Sequence, residues 1–248
     1  MPLSARLAVW TTAWLEGRAG FDDVLDAMAR SGHRHLLVTD GEPEQPLGAA
    51  LFDWRRAGVS GVRVVLPAAG DARGLPGPLE FGRAAIAAGE AAYGGPLGLV
   101  PTADAATASS AAPLVRWHAS PIGPPAPDPL SLADATHDLA VAMRETASLF
   151  TAGQLSGASS EVSQALSRAR RAGEQLDLPP GFPSPATALA AQAERLAEML
   201  DIARADHRGG AVDRQGMGTR DDALRALVGV VRRARQAAYN TALSEAER

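Results

Sequence analysis

With 248 residues, 46% of them apolar, and a formal net charge of −4, the chain is long enough for one large domain or two modest ones with a real core. Ten arginines stand against twelve acids up to residue 120 and fourteen against sixteen beyond it, so neither half carries the basic footprint of a nucleic-acid or membrane-surface protein. All 24 basic residues are arginine and cysteine is absent, which excludes Schiff-base and pyridoxal phosphate catalysis, a Walker A lysine, thiol nucleophiles, thiolate zinc and iron–sulfur clusters.

The first element expected is a helix. Leu7, Trp10 and Trp14 recur at helical spacing, with Ser4 as cap and Gly17 as stop. The segment is interrupted by threonines and lacks a small-residue cleavage site, so it is not read as a signal peptide. No stretch of about 18 uninterrupted apolar residues follows, so no membrane span is expected, and with no export signal the cytoplasm is the expected compartment.

A second helix opens at Asp22, places Val24, Leu25 and Met28 on one side and stops at Gly32. Leu36–Thr39 reads as a short strand. Pro46 then takes the first position of a third helix, with Leu47, Leu51 and Trp54 inward and Gly58 at its end. The clearest strand is Gly61–Leu66, where Val62, Val64 and Leu66 alternate with Arg63 and Val65. It runs into a loop with Gly70, Asp71, Arg73, Gly74 and Gly77, whose glycines allow a backbone to approach a ligand.

Leu79 begins an alanine-rich helix. Two strands around 90–93 and 97–102 flank a Gly-Gly-Pro hairpin turn, with Pro101 arguing for a sheet edge, and residues 103–112 form a loop without periodicity. Leu114–Ser120 is the last strand, with Val115 and Trp117 alternating with Arg116 and His118. Five prolines in residues 121–129 cannot continue a helix or a sheet interior and mark a linker that reaches about 28 Å at about 3.1 Å per residue.

Beyond it the pattern is helical. One stripe runs through Leu132, Thr136, Leu139, Met143 and Phe150, and a second through Val162, Leu166, Ala169 and Leu176. Ser184 and Pro185 open a third helix, carrying Leu189, Leu196, Met199, Leu200 and Ala203. Thr219 caps a fourth, with Leu224, Leu227, Val228 and Val231 inward. The expected architecture is therefore α+β: a small, mainly antiparallel or mixed sheet with helices over residues 1–120, a linker over 121–129, and a four-helix bundle-like region over 130–248.

Chemistry is sparse in this pattern. His33 and His35 form an HxH pair that resembles the metal-binding pair of amidohydrolase-type enzymes, but they precede their strand instead of following it, and exposed turn histidines are the better reading. Asp134 and His137 stand three apart on a helix, whereas His207 has Arg204 at the matching place, so a di-metal bundle fails on counting. Neither a metal nor another cofactor is expected. No GxSxG elbow occurs, and the glycine loop after residue 66 matches neither dinucleotide nor P-loop spacing.

Two functions remain. The first is a non-catalytic binding or regulatory module in which the helical half serves a protein partner or self-association. The second is an enzyme or sensor for a small phosphate- or carboxylate-bearing ligand on the N-terminal sheet, where Arg63, Arg116 and His118 share a face with Asp71 and Arg73 at its rim.

Overall fold

The computed structural model describes residues 1–104, 113–124, 130–152, 176–206 and 214–246. The loop expected over 103–112 and the linker expected over 121–129 are described only in part. The stripe through Val162, Leu166 and Ala169 and the residue His207 lie outside the described residues, as do the side chains of Phe150, Ala203 and Leu224. Seven described helices and a six-stranded mixed sheet give an α+β protein with a two-domain layout. Its Cα framework divides into two compact units. The first comprises residues 1–129, 177–182 and 239–248, and the second residues 130–176 and 183–238.

The first unit begins with α1 (Leu3–Leu15), whose Leu7, Ala8, Trp10 and Trp14 are buried. Ser4 is not its cap. The side chain of Ser4 is buried inside the helix, and its backbone N–H instead donates to Glu90 Oε2 at 2.7 Å, so a carboxylate from 86 residues away takes an orphan donor of the first turn. At the other end Gly17 adopts φ 76°, and the N–H of Arg18 reaches back to the Ala13 carbonyl, closing the helix in the left-handed manner that glycine permits. Helix α2 (Phe21–Ala29) starts one residue before Asp22, and Asp23 rather than Asp22 accepts the Gly20 N–H at 2.7 Å.

Strand β1 (Arg34–Val38) leads to the two-residue β2 (Gln45–Pro46) and to α3 (Gly48–Arg56). Pro46 is thus paired in the sheet with Leu36 instead of opening the helix. After β3 (Arg63–Val65) come α4 (Leu79–Ala88), the hairpin β4 (Ala91–Gly94) and β5 (Leu97–Ala103), and then β6 (Leu114–Pro121). The strand order is β2-β1-β6-β5-β4-β3, antiparallel throughout except for the parallel pair β1 and β6. Six strands, one more than the most the pattern suggested, result because the short β2 joins the sheet.

Pro101 sits in β5, an interior strand, opposite Trp117 of β6. The proline is tolerated because β4 pairs with β5 only as far as Leu99. The outward groups of Val64 are bonded away from β4, so Ala92 and Leu99 exchange ladder bonds, and Pro101, two residues on, turns its N–H-less nitrogen to the same side after β4 has ended.

Both faces of the sheet are used. Val65, Ala91, Tyr93 and Val100 share one face and form a core with Phe81 and Ala85 of α4. A Cβ at Gly98 would stand 2.5 Å from the Phe81 ring, so glycine there is what lets α4 lie down on β5. On the opposite face Val64, Ala92, Leu99, Val115 and Trp117 are fully buried, with α1 against β3, β4 and β5 and α2 against β1.

The outer edge of β3 is sealed by side chains. Val62 donates its N–H to Thr12 Oγ1 at 2.9 Å and accepts that hydroxyl at 3.2 Å, while Val64 exchanges two 2.9 Å bonds with the carboxamide of Asn240. These two residues do for the edge what a seventh strand would do.

In the second unit α5 (Leu132–Ala152) is capped by Ser131, whose hydroxyl accepts the Asp134 N–H at 3.1 Å and donates to the Asp134 carboxylate at 2.6 Å. Helix α6 (Ser184–Asp206) begins at Ser184 as expected, and α7 (Arg214–Ala246) begins five residues before Thr219, which lies within the helix. Its residues to Ala238 belong to this unit and those from Tyr239 to the first. Leu139, Leu189, Leu200, Leu227 and Val231 are buried, and Arg235 grips the buried Glu194 through bonds of 2.9 and 3.0 Å.

Candidate functional site

The sequence places chemistry on the β6 face, and the register shows what that face holds. Directly opposed residues share a face, so Arg116 and His118 stand with Thr102 and Val100 of β5, and the same parity carried across β4 puts Arg63 on that face too. Arg63 is nevertheless three strands from β6, about 14 Å at about 4.8 Å per strand, with the Phe81 core between. Arg116 and His118 are brought together by their i, i+2 spacing. Asp71 and Arg73 are brought together as a bidentate pair of two 2.8 Å bonds in the loop after β3.

The arginine at the centre of this face is already matched. Arg116 Nε meets Glu44 at 2.6 Å and its Nη1 meets Asp104, and these bonds raise the guanidinium further above its ordinary pKa. A ligand carboxylate there would have to displace two residents.

A different place offers room. A cavity of about 710 Å³ opens between α2, β1 and the start of α3, in the size range of small-molecule sites, about 300–1,000 Å³. Its walls follow from local sequence. Helical spacing aims Phe21, Leu25 and Met28 of α2 inward, and Leu36 and Leu47 close the strand side. Gly48 is buried at the first turn of α3, and a Cβ there would touch the Phe21 ring at 3.0 Å, so the glycine sets how near α3 approaches α2. Phe52 faces Phe21 in a stack of 4.8 Å, and Trp14 leans on Phe21 at 5.7 Å with Arg55 over its own ring at 4.9 Å. Phe52 is 50% exposed. Such a ring at a cavity mouth is available to a ligand.

The two histidines of the HxH pair line this cavity, and they differ in role. His35 lies in β1, half-buried, and is not the exposed turn residue that the sequence suggests. Trp117 Nε1–H donates to its Nδ1 at 3.1 Å, which leaves the ring proton on Nε2, facing the Met28 carbonyl at 3.1 Å and Ser31 Oγ at 3.0 Å. Burial pushes the pKa of His35 below the ordinary 6.5, against the opposing pull of the Met28 carbonyl. Neither nitrogen is left for a metal. His33 turns its Nδ1–H to the Ser31 carbonyl at 2.9 Å, and its Nε2 remains. Among the described residues no group of three or more His, Asp or Glu could hold a metal ion.

Sequence reasoning picked Leu25, Met28 and Leu47 as core and missed the cavity. The usable signal was Phe52, an aromatic that falls outside the buried stripe of Leu47, Leu51 and Trp54 on its own helix.

Comparison with known proteins gives a family without an assigned activity. The Rv1486c-like protein N-terminal domain matches residues 4–131 and the Rv1486c-like protein C-terminal domain matches residues 133–236. Uncharacterized protein Rv1486c of Mycobacterium tuberculosis is 29% identical over 289 aligned positions, covering 98% of each chain. Uncharacterized protein MAV321 of Mycobacterium avium is 30% identical over 305 positions and uncharacterized protein ML1804 of Mycobacterium leprae 26% over 293, each again covering 98% of both chains. No solved structure matches the chain.

Proposed function

This chain belongs to the Rv1486c-like protein family, and from that premise we propose that it is a non-catalytic binding module whose N-terminal unit takes an apolar small molecule. The observation that carries the reading is the 710 Å³ cavity walled by Phe21, Leu25, Met28, Leu36, Leu47 and Phe52. An apolar void of this size is filled favourably by a ligand, because each methylene moved from water into such surroundings contributes about 0.8 kcal/mol. The imidazole nearest an acid–base role, His35, is spent on holding β1 to α2 and β6. In this reading the helical half serves a partner or self-association and the protein works in the cytoplasm. No helix among the described residues is long and apolar enough to cross a membrane. The anionic-ligand reading on Arg116 and His118 ranks below it because Glu44 and Asp104 occupy the guanidinium.

The test is displacement of the neutral fluorescent probe N-phenyl-1-naphthylamine by a series of 1-alkanols. Saturable binding at one site is expected, with affinity rising about four-fold per methylene until the cavity is full. Ala49→Trp, which projects an indole into the cavity wall, should abolish it with the circular dichroism unchanged. Binding that never saturates, or that ignores Ala49→Trp, rejects the cavity as the site.

A further inference from the structure

Strand parity sorts the polar side chains around the cavity. His35 and Leu37 stand opposite the buried Val115 and Trp117, on the face of β1 turned to α2, whereas Arg34 and Leu36 stand on the other face. His33 continues the first set one residue ahead of the strand, and its ring lies 6.3 Å from that of His35. The two histidines are therefore the polar side chains on the α2 side of an otherwise apolar lining.

Among the described residues only His33 keeps a nitrogen for a ligand. His35 has both of its nitrogens engaged, by Trp117 on one side and by Met28 and Ser31 on the other. The backbone at this end of α2 is engaged too, since the Met28 carbonyl accepts the Ser31 N–H at 3.0 Å and the Ala29 carbonyl the Gly32 N–H at 2.9 Å. His33 Nδ1 lies 2.9 Å from the Ser31 carbonyl, which can only accept, so the neutral ring carries its proton on Nδ1 and a lone pair on Nε2. No donor among the described residues meets that lone pair.

A ligand that filled the void as hydrocarbon alone would shut Nε2 away from water without giving it a donor, and binding would be weakened; a single O–H removes the penalty. A carboxylate, an acceptor only, would not. We infer that the cavity takes a neutral hydroxylated hydrocarbon of the alkylphenol class, its apolar body along Phe21, Leu25 and Phe52 and its O–H donated to His33 Nε2. The inference rests on the cavity being the binding site and adds the class of ligand and the residue that selects it. The ring of a phenol suits the stacked pair of Phe21 and Phe52, and its acidic O–H suits an imidazole acceptor.

The experiment compares 4-butylphenol with 4-butyltoluene, in which a methyl replaces the hydroxyl, as competitors of N-phenyl-1-naphthylamine on the full chain at pH 8, in wild type, His33→Leu and His33→Gln. His33→Leu should weaken 4-butylphenol about five-fold, the effect of one hydrogen bond of about 1 kcal/mol, and leave 4-butyltoluene within about two-fold. His33→Gln, which offers a carboxamide oxygen as acceptor, should restore part of the affinity for the phenol. Equal changes for the two compounds in His33→Leu, no change for either, or a His33→Gln protein no better than His33→Leu overturns the hydroxyl inference while the cavity stands. Failure of the probe and of both compounds to bind the wild type rejects the cavity and the inference together.

Discussion

The two edges of the sheet handle their unpaired backbone in opposite ways. At β3 the outward groups of Val62 and Val64 are bonded one by one, to Thr12 and Asn240, and the edge is closed. At the other edge β2 is two residues long and ends in Pro46, which has no N–H to offer, and beyond it β1 runs along an open cavity. Hydrogen bonds that must be made leave no room for a ligand, whereas a blunt strand beside a void does. On the proposed reading, the contrast gives stability to one edge and binding to the other.

The largest effect should come from Asn240→Leu, which leaves the buried N–H and carbonyl of Val64 without partners. At about 1–3 kcal/mol for each stranded group, about 3 kcal/mol of stability should be lost, read as a lower urea midpoint with an unchanged slope. Trp10, Trp14, Trp54 and Trp117 all lie in the first unit, so tryptophan fluorescence reports the right transition. A loss under about 1 kcal/mol would mean that water closes the edge as well as Asn240 does.

Thr12→Val keeps the shape and removes both bonds to Val62, for an expected cost of about 2 kcal/mol. The double substitution tests whether the two seals are independent. Costs that add within about 0.5 kcal/mol are expected if each acts on its own residue of the strand.

At the binding edge His35 gives a pH signature. Its pKa is lowered in the folded state, so the unfolded chain takes up its proton first as the pH falls, and stability drops below about pH 6.5 toward the folded value. Thermal melts from pH 7.5 to 5 should show that decline, and His35→Gln should flatten it. An unchanged profile in the variant would assign the decline to carboxylates. Smallest of all, Phe52→Ser should change stability by no more than about 0.5 kcal/mol, because the side chain is exposed, while altering ligand binding. A large destabilisation by this substitution would blur the division between the edges.

Local patterns carried much of this fold. The alternation of Val62, Val64 and Leu66, the Gly-Gly-Pro turn and the stripe of Leu47, Leu51 and Trp54 each appear in the structure as an element of the expected type, because burial and turn geometry act over a few residues. What stayed hidden was long-range. Ser4 is a good cap by type, but Glu90 lies in reach and takes the N–H; Pro46 suits a helix start, but pairing with Leu36 takes it into the sheet; Pro101 suits an edge, but β4 simply stops short of it. The cavity was hidden for a related reason, since it exists only where α2 and α3 fail to meet. A void has no residue of its own, and Phe21 and Phe52 stand 31 positions apart in the chain.

The sealed edge also has a history in time. Thr12 is made before the strand it covers, so its half of the seal is ready when Val62 leaves the ribosome. Asn240 follows Val64 by 176 residues, which at about 5–20 residues per second is roughly 10–35 s of synthesis. Once β4 has been made and has paired with β3, the outward groups of Val64 stay open to another strand until Asn240 arrives, so newly made chains crowded on one message are exposed to pairing with one another. A chain ending before residue 240 never leaves that state.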